Sequence, residues 1–123
     1  MSLPPGVGAA ANRGELKPVV KWLRQGGNID ARADDGFGML HAAATGGLHV
    51  AKELLQRGAS VDLRGPKDIT ALMVAAREGQ HALVRLLLEH KASIDLQNAE
   101  GGTALMVATA KGQKECVQEL LQA

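Results

Sequence analysis

Residues 70–75 read Thr-Ala-Leu-Met-Val-Ala, and residues 103–108 repeat the same six letters at an offset of 33. The offset persists further along the chain, where the Gly-Gln pair at 79–80 returns at 112–113. An internal period near 33 residues is typical of arrays in which one helical unit stacks on the next. The repeat therefore predicts an elongated stack of similar units.

The period extends towards the amino terminus. Residues 25–30 (QGGNID) lie 32 positions before residues 57–62 (RGASVD), which match them in glycine, aliphatic and aspartate positions. Four units then fit the chain. A Pro- and Gly-rich segment precedes them, and we expect it to be disordered. The predicted segments are residues 1–7 (disordered), 8–33, 34–66, 67–99 and 100–123.

The third unit shows the pattern of one unit most clearly. Thr70 is placed to cap a short first helix over residues 71–77, because a threonine hydroxyl satisfies free amides at a helix start. A second helix over residues 82–90 carries an apolar stripe wide enough to be buried against neighbouring helices. Residues 96–102, with an asparagine and paired glycines, predict a tight hairpin before the next unit.

These units resemble the ankyrin repeat. Residues 39–41 (Met-Leu-His), 70–73 (Thr-Ala-Leu-Met) and 103–106 stand where that family has its Thr-Pro-Leu-His signature. The resemblance covers the chain from about Gly8 to its end. It implies an all-α solenoid of helix-turn-helix units joined by β-hairpin-like turns, with the hairpins projecting from one edge to form a concave binding surface.

Two positions depart from this pattern. Lys91 stands in the column of Gly26 and Gly58, just past the second helix, where the chain usually adopts a left-handed conformation. A side chain there costs about 1–2 kcal/mol, so we expect Lys91→Gly to stabilise the fold. Asp68 replaces the turn glycine seen at Gly101, which is a milder fault because Asp tolerates that conformation better.

The second unit is one residue short. Leu40 and Gly46 are six positions apart, whereas the matching leucine and glycine of the later units are seven apart. Gly38 also stands where Thr70 and Thr103 cap the later helices, and losing a cap hydroxyl costs about 1 kcal/mol. We expect a distorted first helix here and the softest interior unit of the array.

Composition excludes several classes of partner. The formal net charge of +1 gives no general attraction to phosphate backbones or anionic membranes. The longest uncharged apolar run, residues 69–76, falls well short of the roughly 20 residues that a membrane span needs. The single cysteine cannot form an internal disulfide, which favours a reducing cytoplasmic or nuclear location. We expect a monomer that binds neither nucleic acid nor membrane.

The chain offers little for catalysis, and we predict no enzyme activity, no cofactor and no metal. A match to the Gly-x-Gly-x-x-Ala dinucleotide pattern at residues 6–11 lacks the strand that must precede such a loop. Cys116 and Trp22 align with aliphatic residues of the second-helix stripe, so both are expected in the core. The histidines are spread over different units at neither triad nor metal-ligand spacing: His41, His49, His81 and His90.

The resemblance implies binding of a partner protein, as scaffold, adaptor or inhibitor, through the hairpin tips and the adjoining first-helix ends. Two alternatives remain open: a structural spacer within a larger protein, which a chain ending within a unit would favour, and an engineered array without a natural ligand. Phe37 and Ile69 are either exposed anchors for the partner or partly buried against a neighbouring hairpin. The predicted contact residues are Arg32, Asp34, Asp35, Phe37, Thr45, Arg64, Pro66, Lys67, Ile69, Arg77, Glu78, Gln97, Glu100 and Lys111, with Ala99, Gly102 and Ala110 beside them.

Overall fold

A computed structural model describes residues 2–123 and leaves Met1 outside the described part. Within that range the chain forms helices in pairs, with a short 3₁₀ turn at Pro66–Asp68. No strand is formed over the same residues, and the one isolated β-bridge joins Arg32 to Gly38. The all-helical prediction is confirmed. The helices are α1 (Pro5–Arg13), α2 (Leu16–Arg24), α3 (Met39–Ala43), α4 (Leu48–Gln56), α5 (Ala71–Arg77), α6 (His81–Glu89), α7 (Ala104–Ala110) and α8 (Lys114–Leu121).

The helix pair predicted for the third unit is confirmed with one shift. Helix α5 has the predicted bounds, and the hydroxyl of Thr70 accepts a hydrogen bond from the Met73 amide at 3.3 Å. Thr103 caps α7 through the Met106 amide at the same distance. Helix α6 begins one residue before the predicted start, since His81 already takes helical geometry after the left-handed Gly79.

The carboxyl end of α6 has the backbone conformation that the sequence predicts. Lys91 has a φ of 70°, in the left-handed region that favours glycine. Its amide donates to the Leu88 carbonyl at 3.0 Å, and the Ala92 amide donates to that of Leu87 at 3.0 Å. Asp68 is also left-handed, with a φ of 58°, and Lys67 beside it has a φ of 56°, which the sequence analysis did not anticipate.

The short connection in the second unit leaves α3 with five residues, whereas α5 and α7 have seven. Gly38 supplies no cap hydroxyl, and Nδ1 of His41 instead accepts the Gly38 amide at 3.1 Å. Gly47 lies so close to α1 that an added Cβ would stand 2.6 Å from the Ala11 carbonyl oxygen. This turn therefore packs closely against the first unit. That this is the softest interior unit stays a prediction.

Two layers of helices enclose the core. The first helices pack side by side in the order α1, α3, α5, α7, and the second helices in the order α2, α4, α6, α8. Leu54, Leu87 and Leu120 occupy equivalent places between the layers and are almost fully buried. Trp22, in the same column, is only half-buried, because α2 lies at the edge of the stack; its ring covers Gly27.

Over residues 2–7 the structure differs from the expectation of disorder, which covered residues 1–7. Leu3 is 3% exposed, and its amide donates to the Arg32 carbonyl at 2.8 Å. Helix α1 begins at Pro5, three residues before the predicted start of the first unit, and proline suits a first helical position because its φ is already fixed. Burial of Leu3 against the first unit gives this segment a fixed place. Met1, also in the expected segment, lies outside the described residues.

Candidate functional site

Three hairpins connect the units and project from the same edge of the stack. Each is closed by two backbone hydrogen bonds, so the predicted hairpin-like turns are present without extended strands. The outer bonds join the amides and carbonyls of Ala33 and Phe37, Gly65 and Ile69, and Asn98 and Gly102, at 2.7–2.8 Å. Because the three turns share one bonding pattern, side chains at their tips recur in the same relative positions.

Two arginines that are predicted to contact a partner also link the hairpins to one another. The Arg32 guanidinium donates to the carbonyl of Arg64 in the next hairpin and to that of Gly36 at 3.1 Å. The Arg64 guanidinium in turn donates to the Gln97 carbonyl of the third hairpin at 3.1 Å. Their donors are therefore partly committed within the molecule, where they fix the spacing of successive tips.

Thr45 is engaged in a similar way at the end of the first-helix layer. Its hydroxyl lies within hydrogen-bond reach of the Asn12 side chain and of the Ala42 carbonyl. The Thr45 carbonyl accepts a hydrogen bond from Nε2 of Gln80 in the next unit at 3.2 Å. Thr45 thus links three units, and its part in any partner contact is limited by these bonds.

Phe37 and Ile69 are half-buried, which matches the alternative of packing against a neighbouring hairpin. The Phe37 ring meets the His41 ring edge to face, with centroids 5.2 Å apart. It also lies over Gly65, where an added Cβ would stand 2.8 Å from the ring. Phe37 is therefore held in a fixed position and still presents part of its ring at the surface.

His41 is the one buried histidine of the described chain, at 3% exposed. Because Nδ1 accepts the Gly38 amide, Nε2 carries the proton and donates to the Ile69 carbonyl at 2.9 Å. Burial is the main cause that lowers the pKa of His41, and the Arg32 charge acts in the same direction. A neutral imidazole with both nitrogens bonded to backbone has a structural role.

An open cavity of about 570 Å³ lies between α1, the first hairpin, α3 and α5. Its floor includes Ala9, Ala42 and Val74, which the sequence analysis missed. These residues occupy one column of the repeat, and the two alanines leave room that the valine fills in the third unit. A comparison of side-chain size down that column could have found the cavity. Five of the predicted contact residues line it: Asp34, Asp35, Phe37, Thr45 and Arg77.

The rim of this cavity carries opposite charges on its two sides. Asp34 and Asp35 are exposed at the hairpin tip, and neither makes an ion pair within residues 2–123. Asp35 accepts the Phe37 amide through Oδ1 at 3.0 Å and keeps its second oxygen open to solvent. Across the opening Arg77 is exposed, with the Glu78 carboxylate 3.6 Å from its Nε.

The remaining predicted contacts are spread along the same edge, outside the cavity. The structure places them on the second and third hairpins and at the ends of α5 and α7, as the repeat implies. All are exposed: Pro66, Lys67, Glu78, Gln97, Ala99, Glu100, Ala110 and Lys111. Gly102 is half-buried. The predicted contact residues thus form a row along the hairpins. Several of them line one cavity, which lies at the amino-terminal end of that row.

The described residues offer few side chains for metal binding or for a reactive thiol. In that part of the chain no three His, Cys, Asp or Glu side chains stand close enough to hold a metal ion. Cys116 is fully buried in α8, as predicted, and burial raises the pKa of its thiol. None of the described helices is long and apolar enough to cross a membrane.

Comparison with known proteins agrees with the architecture. A family model described as "Ankyrin repeats (3 copies)" matches residues 7–98 and again residues 46–123. The chain is also 32% identical, over 85 residues, to a putative ankyrin repeat-containing protein of Treponema pallidum (strain Nichols). The aligned region covers 68% of this chain and 28% of that relative, so the chain spans under a third of the relative's length.

Proposed function

Since this chain belongs to the ankyrin repeat family, whose repeats generally mediate protein–protein interaction, we propose that it binds a partner protein through its concave edge. The observation that carries the proposal is the row of exposed tips, which have no packing role. Asp34, Lys67 and Glu100, one from each hairpin, are exposed on turns that two backbone hydrogen bonds already close. Side chains that stabilise nothing internally are free to contact another molecule.

Rigidity supports the same surface. The arginine bonds between hairpins hold the tips at a constant spacing, and the Ala99 amide adds a backbone bond to the Lys67 carbonyl at 2.8 Å. A preorganised surface loses less conformational entropy when a partner binds. Arg32 and Arg64 therefore contribute by positioning the tips, and direct contact falls to the residues around them.

Ankyrin repeats are typically non-catalytic interaction modules, and we propose no catalytic role here. Both ring nitrogens of the one buried histidine, His41, are hydrogen-bonded to backbone atoms, so neither is free for proton transfer. Whether the protein acts as an adaptor, a scaffold or an inhibitor depends on which partner the concave edge binds.

A pair of surface variants tests the proposal. The tip variant reverses charge at three exposed positions, Asp34→Lys, Lys67→Glu and Glu100→Lys. The matched control changes two exposed outer-helix residues, Lys52→Glu and Glu89→Lys. Each protein is immobilised, exposed to cell extract, and the retained proteins are quantified by mass spectrometry. We expect the tip variant to lose partners that the control retains. Partners lost only by the outer-helix control would contradict the concave-edge assignment.

A further inference from the structure

We propose that the cavity beside the first hairpin receives a large apolar side chain from an extended peptide segment, with a lysine or arginine next to it reaching Asp34 and Asp35. This inference rests on the proposed binding function and specifies the partner. Shape, apolar lining and charge at the rim each point to that chemistry.

Shape comes first. The cavity of about 570 Å³ is open to solvent and falls within the size range of sites that bind small groups. It exists because Ala9 and Ala42 replace a bulkier side chain at the column position that Val74 fills in the third unit. A depression of this size has room for one or two side chains of an incoming chain, and too little for a folded element.

The lining favours an apolar group. The Phe37 ring forms one wall and is held by His41 and Gly65, so it does not need to reorganise when a ligand binds. Burying a large aliphatic or aromatic side chain against such a wall removes apolar area from water on both partners. Anchors of this kind, seated in fixed pockets, supply most of the affinity in protein interfaces.

The charge at the rim favours a particular kind of peptide residue next to the apolar anchor. The structure commits the nearby arginine, Arg32, to hairpin carbonyls, whereas both tip carboxylates remain without a cationic partner among residues 2–123. A peptide cation beside the anchor would pair with Asp34 and Asp35. Arg77 across the opening already has Glu78 close to it, so among residues 2–123 the uncompensated charge at this rim is negative.

Three peptides test the proposal. Each is titrated into the isotopically labelled protein, and the amide shifts of the protein are followed by NMR. The first probe is a short Gly/Ser peptide with one leucine flanked by two lysines. The second replaces the lysines by glutamates, and the third replaces the leucine by glycine. We expect only the first to bind measurably, with the largest amide shifts in α1, the first hairpin and α3. Shifts on the outer helices alone would overturn the proposal, as would equal binding of the glutamate peptide.

Protein variants test the same two features. The double change Asp34→Asn and Asp35→Asn keeps the hydrogen-bond geometry and should weaken binding of the lysine peptide by roughly three- to tenfold at low salt. Glu89→Gln, which also removes one exposed carboxylate but lies on the outer helix α6, is the control and should leave binding unchanged. Equal binding by the double variant and wild type would overturn the role of the acidic tip.

Filling the cavity provides a second, independent readout. Ala9 is exposed on α1, so Ala9→Phe should fold normally and abolish the leucine-dependent shifts. Ala82→Phe places the same ring at an exposed position on α6 and serves as control. If Ala9→Phe still binds the lysine peptide, the cavity inference fails. The proposed function fails separately, if the tip variant still retains the extract partners that the wild type and the outer-helix control retain.

Discussion

The third and fourth units contain the same six residues at the start of their first helices, yet the two copies have different environments. Met73 is 3% exposed in α5, whereas Met106, at the same place in α7, is 56% exposed. The second helices differ similarly, since Leu88 of α6 is half-buried and its equivalent Leu121 of α8 is 67% exposed. The caps and bounds of α5 and α7 are nevertheless the same.

The difference separates two kinds of stability. Capping and helical backbone bonds are local, so identical letters give identical helices. Burial depends on the neighbour, and α5 is covered by α7, whereas none of the described elements covers the outer face of α7. Apolar area removed from water, and not helix propensity, is therefore what distinguishes the two units energetically.

The largest expected effect is a contrast between the two methionines. Met73→Ala should lower the free energy of unfolding by about 2–5 kcal/mol, because it leaves a cavity in a packed core. Met106→Ala should change it by no more than about 0.5 kcal/mol, since its side chain is mostly in water. Urea denaturation followed by circular dichroism measures both. Similar losses from the two changes would show that the face of α7 is covered in solution.

A smaller effect is expected at the junction of these two units. Lys91→Gly relieves a left-handed lysine at φ 70° and should stabilise the protein by about 1 kcal/mol. Gly58→Ala, at the equivalent left-handed position of the second unit, is the reverse control and should destabilise it. The melting temperature reports both. An unchanged or lowered value for Lys91→Gly would contradict the strain that the backbone implies.

The smallest effect concerns the column that holds methionine in both later units and His41 in the second. Because burial lowers the pKa of His41 in the folded state, the neutral form is favoured on folding. Its contribution is present above the unfolded pKa of about 6.5 and is lost as the pH falls through the lowered folded pKa. The nearby Asp35 carboxylate opposes the shift, and Arg32 adds to it.

Unfolding midpoints in urea at several pH values between neutral and mildly acidic test this. Wild type should lose stability across that range, and His41→Met, which installs the residue of the later units, should lose less. A parallel decline in both proteins would assign the pH dependence to other groups. His49→Gln, at an exposed position of the neighbouring helix, controls for simple loss of a histidine.

Much of the fold could be predicted from the sequence because it depends on local and periodic features. The repeat of residues 70–75 gave the unit length, Thr70 gave the start of α5, and the alignment of Lys91 with glycines gave its left-handed backbone. The amino terminus could not be predicted in this way. Leu3 is ordered by a hydrogen bond and by burial against the first unit, which no local pattern encodes.

For the candidate site, the sequence predicted only which positions of the repeat lie on the hairpin edge. The repeat placed the hairpin tips on one edge, but it did not show that Arg32 donates to the Arg64 carbonyl. Nor did it show that Asp34 and Asp35 make no ion pair among residues 2–123. Nor did it reveal the cavity, which requires two alanines from different units to lie side by side.

The sequence by itself determined the helices, their caps and the period on which they recur, because these follow from bonds between residues close together in the chain. Only the tertiary structure decided which copy of an identical residue is buried, which arginines are engaged and where a cavity opens. Those outcomes depend on side chains about one repeat apart, and on what packs against each face.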